Sequence, residues 1–340
     1  MKPASIILSA LLLGSLCSCQ KIRDKVSPTG ILIASSDVED RVQMSYEYFQ
    51  NYLFDYRILI TDKKDYSFIV GADSHLTTDP GRLDEMLAIG LEHEDVLYAH
   101  LGDIADTKPD YYIRLDSLID EAKVRFVDKF YTPVNDYQYQ IKAFEDFVPV
   151  TYEEITFPFY PVVGNHDITR NGWAMWSSIF RSSFYTVEVL APTDDGDFAI
   201  DHYIFLDSAN GTLGRRQVEL IEEGVMDGQL PDGQSVFRHT FVFSHTNLFH
   251  PQFNEFASTF SREETFFLLD QFKKWNVDYA FYGHVHTWDE REYNGVHHLT
   301  LDTMGESGHS EPGDYLVRLN VKGDGSLSWE KVRMNYSPAK

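Results

Sequence analysis

Apolar positions along this chain switch between two periods. Ser67-Phe68-Ile69-Val70-Gly71 is a short, nearly unbroken apolar run, the pattern of a strand buried on both faces. Over residues 80–93 the apolar positions Leu83, Leu87 and Leu91 recur at helical spacing and predict a helix with one buried side. Residues 95–101 read as a second strand and 157–163 as a third. Between them, residues 108–155 predict mostly helix, with an unusual wealth of Tyr and Phe. The second half turns toward strands, expected at 184–189, 198–206, 237–243, 277–282, 297–301 and 315–321, with a helix over 262–274. Strands alternating with helices point to a mixed α/β fold.

Five short segments stand out against this frame: Asp73-Ser74-His75, Gly102-Asp103-Ile104-Ala105-Asp106, Gly164-Asn165-His166-Asp167, Ser244-His245 and Gly283-His284-Val285-His286. Four of the five follow a strand-like run. Sheets of this kind bind ligands at the carboxyl ends of their strands. Asp73 and His75 are two apart and can converge on one ion. Gly102 lets the chain turn sharply ahead of Asp103, whose two carboxylate oxygens are able to bridge two ions. Asp, Asn and His are the donors that a pair of divalent metals requires.

The set resembles the calcineurin-like metallophosphoesterases, over roughly residues 66–335. That resemblance implies a four-layer sandwich: two packed mixed β-sheets flanked by helices. It implies Asp73, His75, Asp103 and His286 around one divalent metal, and Asp103, Asn165, His245 and His284 around a second. It implies that a water shared by the metals is deprotonated near neutral pH and attacks phosphorus in line. His166 resembles the family's catalytic histidine, with Asp106 orienting its ring and Asp167 behind the site. Arg170 or Arg181 is expected to grip the phosphate, and His250 to line the pocket. Purple acid phosphatases carry Tyr where this chain has Ala105, so it looks unlike them, and Mn, Zn and Fe stay open as the metals.

The substrate is thereby expected to be a small phosphate ester. A phosphodiesterase or nucleotide pyrophosphatase is the narrower alternative. A cell-surface binding protein that keeps the scaffold without turnover is the alternative of another class.

Composition sharpens this reading. The chain has 340 residues, with 53 acidic and 29 basic side chains and a formal charge of -24. Such a surface repels nucleic acid, whose affinity rests on basic contacts to phosphate. Aromatics make up 14% of the residues, too many for a disordered acidic protein and enough for a large core.

Both cysteines, Cys17 and Cys19, lie near the start of the chain. Residues 6–16 are apolar but too short to span a membrane, which takes about 20 residues. Leu16-Cys17-Ser18-Cys19 resembles a bacterial lipobox with Cys19 as the acylated residue; Cys17 is the weaker candidate. The expectation is a signal peptide at 1–19, a polar tether at 20–40 and a single domain at 41–340. The protein would then be lipid-anchored in the bacterial cell envelope, at the periplasmic or outer surface.

Overall fold

The computed structural model describes residues 37–51, 57–77, 81–105, 108–144, 148–227, 235–249, 259–305 and 313–335. Helix α1 (Val38–Asn51) begins within the stretch expected to be a tether. Strands β1 (Ile58–Ile60) and β2 (Tyr66–Gly71), helix α2 (Gly81–His93), strand β3 (Leu97–His100) and helix α3 (Pro109–Phe130) follow. Next come β4 (Tyr131–Pro133), β5 (Gln138–Ile141), β6 (Val150–Thr151), β7 (Phe159–Pro161) and α4 (Gly172–Phe180). Then come β8 (Tyr185–Pro192), β9 (Phe198–Phe205), α5 (Gly214–Glu222), β10 (His239–Ser244), α6 (Arg262–Lys274) and β11 (Val277–Tyr282). The chain closes with β12 (Asp289–Tyr293), β13 (Val296–Thr300), β14 (Tyr315–Val321) and β15 (Leu327–Arg333).

Two mixed sheets carry the architecture, in the orders β1-β8-β9-β10-β11-β13-β12 and β15-β14-β2-β3-β7. Their inner faces meet in one core. In β2, Phe68 and Val70 enter it, and Phe68 packs edge-on to Tyr203 and Phe241 of the opposite sheet, both at 5.1 Å. The intervening Ile69 faces the other way, into a second core with Leu83 and Leu87 of α2, Leu115 of α3 and Trp176 of α4. On the far side, Ile204, Val242 and Ala280 pack under Val38, Leu220 and Leu268 of α1, α5 and α6. The result is helix, sheet, sheet, helix, and the unbroken apolar runs are explained because those strands are covered on both faces.

Helix α6 begins and ends where its sequence dictates. Ser261 caps the amide of Glu264 at 3.2 Å, acidic residues occupy the first turn, and Lys273 and Lys274 the last.

The expectation of helix through residue 155 fails beyond Phe130. From there the chain forms a separate three-stranded antiparallel sheet, β4-β5-β6. Pro133 cannot continue a helix, and the Asn135 side chain accepts from the amides of Tyr137 and Gln138 at 2.9 and 3.0 Å, closing a turn between β4 and β5. Trp173 and Trp176 form a packing face on α4, buried and stacked at 5.3 Å.

Candidate metal centre

The described residues of all five motifs sit at strand ends or just beyond them. Strands β2 and β3 run in parallel, and their exits stay joined. The amide of Asp73 donates to Gly102 O at 3.1 Å, that of His75 to Asp103 O at 3.0 Å, and Leu76 bridges to Ala105. The parallel neighbours β7, β10 and β11 deliver Asn165, His245 and His284 to the same edge. Two groups result: Asp73, His75, Asp103 and His286, and Asp103, His245 and His284. Within each, the ligand atoms lie within 4.8 Å of one another. Asn165 joins the second group, its Oδ1 standing 2.9 Å from both His245 Nε2 and His284 Nδ1. Asp103 is common to both groups.

The donor set fits cations. His245 Nδ1 lies 2.7 Å from Leu101 O, which only accepts, so Nδ1 carries the proton. In the neutral ring Nε2 then turns a bare lone pair toward Asn165 Oδ1 and toward Asp103 Oδ2 at 3.5 Å. Facing lone pairs call for positive charge between them, which a divalent cation supplies. Likewise His75 Nε2 faces His286 Nε2 at 3.2 Å, with His286 Nε2 also 3.3 Å from Asp73 Oδ1.

Charge states agree with that chemistry. Burial pushes the Asp73 carboxyl up, but the His286 hydrogen bond and the surrounding histidines win and hold it below the usual carboxylate range. Burial, then the charge of His245, bring His284 down to about 4, so its ring is neutral and able to ligate at pH 7.

The backbone is strained where the ligands sit. Asp73, His75, Asp103, His284 and His286 all have positive φ, between 42° and 71°. Left-handed backbone costs a residue with a Cβ roughly 1–2 kcal/mol, and such strain persists where surrounding structure over-determines it. Two glycines let the second and third loops approach. A Cβ on Gly102, whose φ is 90°, would stand 2.7 Å from His245 Nδ1. One on Gly164 would stand 2.2 Å from Asp103 Oδ1.

His166 is exposed, its ring edge-on to His75 at 4.8 Å, while its amide donates to Asp103 Oδ1 at 2.7 Å. Arg170 is exposed on the turn leaving this motif and, among the described residues, makes no bond to the ligands. Arg181 is drawn elsewhere. Its guanidinium bonds the Tyr48 hydroxyl, lies over that ring at 5.5 Å and lines a cavity that contains none of the metal ligands. Asp106 and His250 lie outside the described residues.

Behind the ligands stand supporting residues, of which the sequence reading placed Asp167 but not Thr303 or Ser208. Buried Asp167 accepts from the amides of Gly164 at 2.8 Å and Ile104 at 3.1 Å and from the Tyr112 hydroxyl at 3.1 Å, tying the second loop to the third. Burial and the neighbouring Asp103 charge push its carboxyl up to about 7. Thr303 Oγ1 lies 2.8 Å from Asp73 O, and Gly305 N donates to the same carbonyl at 3.0 Å. Ser208 Oγ accepts from the amides of His245 and Thr246, both at 3.0 Å. Single hydroxyls in loops leave no mark that a sequence pattern would single out.

The calcineurin-like phosphoesterase family model matches residues 66–288, more than half of the chain. The chain belongs to that family. It is accordingly a metal-dependent phosphoesterase. No curated protein matches the sequence. Among solved structures, the chain is similar to GAP50, the anchor in the inner membrane complex of Plasmodium, at 13% identity and TM-score 0.48, covering 80% of this chain and 90% of that one. It is also similar to a dimetal phosphatase from Danio rerio, at 14% identity and TM-score 0.40, covering 79% and 98%. Likeness at that level says nothing of what this phosphoesterase hydrolyses.

Proposed function

We propose that this phosphoesterase hydrolyses a small phosphate ester at a centre of two divalent cations held by Asp73, His75, Asp103, Asn165, His245, His284 and His286. The observation that carries this is the His245 ring. Its proton is fixed on the outer nitrogen by Leu101 O, and its bare nitrogen faces Asn165 and the shared Asp103. Bound cations supply a deprotonated water at neutral pH and neutralise the phosphoryl oxygens. The chain's own residues do the rest. Asp103 holds both ligand groups in register. Its carboxylate also accepts the His166 amide, which fixes that residue at the rim. From there the exposed His166 ring protonates the leaving oxygen as general acid, with Asp106 as the residue that would orient it. Elemental analysis of the purified protein, expected to give two equivalents of Mn, Zn or Fe, tests the reading; a metal-free protein with full activity would overturn it.

The position of Arg181 favours a narrower second reading. With that cation turned to a cavity that holds none of the ligands, Arg170 is the one arginine of the pair left near the third motif to meet a dianionic monoester, which favours a monoanionic diester or a pyrophosphate bond. Bis-p-nitrophenyl phosphate should exceed p-nitrophenyl phosphate in kcat/KM by about tenfold, a barrier difference near 1.4 kcal/mol. A tenfold preference the other way sinks the diester reading and leaves the metal centre intact.

The proposed setting is the bacterial cell envelope, through acylation at Cys19. Among the described residues no helix is long and apolar enough to cross a membrane. Cys19→Ser should release the protein from the membrane fraction or block its processing. Retention of the variant, with no labelled lipid on the wild type, would remove the anchor from the proposal.

A further inference from the structure

Between β7, the edge strand of one sheet, and the start of β8 in the other lies a cavity of about 420 Å³. That size is ordinary for a small-molecule site. Phe157, Phe159 and Phe180 supply apolar walls, while Arg57, Lys123 and Arg181 supply cationic ones. This concentration of positive charge occurs in a chain of formal charge -24. Glu153 and Glu154 also line the space, but the Glu154 carboxylate is turned to its own loop, accepting from Thr151 N at 2.7 Å and Thr151 Oγ1 at 3.0 Å.

The cations are held in place by structure. Arg181 sits at φ 67°, ψ -64°, and Ser182 N donates to Phe180 O at 2.8 Å across it. That is the rare γ-turn with positive φ, a strained conformation for a residue with a Cβ, of the kind kept where it serves a site. The next residue, Ser182, accepts Arg57 Nη2 at 3.0 Å, and Arg57 lies over the Tyr185 ring at 4.8 Å. One strained turn thus fixes two guanidinium groups. Arg181 has five N–H donors, and its bond to Tyr48 leaves capacity for a ligand. From α3, Lys123 lies over the Tyr152 ring at 4.6 Å. Burial lowers its pKa, outweighing the nearby Asp120 and Glu153 charges that raise it.

We infer that this cavity is a binding site, separate from the metal centre, for a small organic anion. Its carboxylate, sulfonate or phosphate head is held by Arg57, Lys123 and Arg181, and its apolar body rests on Phe157, Phe159 and Phe180. The site takes ligands by charge and shape and has no part in the hydrolysis.

Calorimetric titration of the full chain with 2-naphthoate and with its neutral counterpart 2-naphthamide tests this. Naphthoate should bind saturably at one site, at least about tenfold tighter than the amide. Lys123→Glu and Arg181→Gly should each weaken naphthoate by about tenfold, and Asp73→Asn should leave it unchanged. Arg181→Gly also relieves the strained turn, so its melting temperature should hold or rise, separating lost binding from lost fold. Equal binding of acid and amide, no saturation by about 10 mM, or loss of binding with Asp73→Asn alone would each overturn the proposal.

Discussion

His166→Ala should lower kcat by roughly 10²–10⁴-fold, the range for a positioned general acid, with bound metal unchanged. The ring stands exposed at the rim, while the tie to the ligand set runs through the backbone amide, which alanine keeps. Asp103→Asn should behave differently. An amide has one carbonyl oxygen and no charge, so it bridges two cations poorly, and metal content and activity should fall together. Elemental analysis beside kcat measurement separates the two outcomes. If the His166 variant loses its metal as well, the assignment of His166 to proton transfer is wrong.

Arg41→Ala should cost about 3–5 kcal/mol of stability, the usual result of removing one partner of a buried ion pair. Arg41 on α1 is fully buried and grips Asp207 with two bonds of 2.8 Å and Asn210 with one of 2.7 Å. Alanine leaves the Asp207 carboxylate buried without its cation. The damage should reach the metal centre, because the residue after Asp207 is Ser208, which holds the amides of His245 and Thr246. Denaturant unfolding followed by circular dichroism measures the loss, and a midpoint like that of the wild type would show that the Arg41–Asp207 pair contributes nothing to stability.

The strands that end in motifs were legible because each is buried on both faces and therefore written as an apolar run: β2, β10 and β11 are examples. Helix α6 was legible through its repeat and its charged ends. The region after Phe130 was not, since Tyr and Phe suit either a helix face or a small sheet, and the decision falls to Pro133 and a local Asn135 turn. The candidate donors were legible as residue types, and the structure brings Asp73, His75, Asp103, His245, His284 and His286 together at strand ends. Arg181 was not legible, because proximity in sequence to the third motif says nothing of a γ-turn that carries its side chain to Tyr48. Nor was Arg41, whose partner Asp207 lies far along the chain and belongs to no pattern.

The pairing of β2 with β14 places Val70 beside Val317, and that of β11 with β13 places Tyr282 beside Thr300. The strands that present Asp73 and His284 therefore gain one of their two neighbours only from the last part of the chain, beyond residue 288 where the family match ends. A nascent chain that has emerged through His286 owns every ligand yet has two open sheet edges beside them, the kind of surface on which chains stick to one another. Pairings so distant in sequence close slowly. The loops that carry Asp73 and His284 are therefore braced on both sides only by strands that lie beyond the last ligand in sequence.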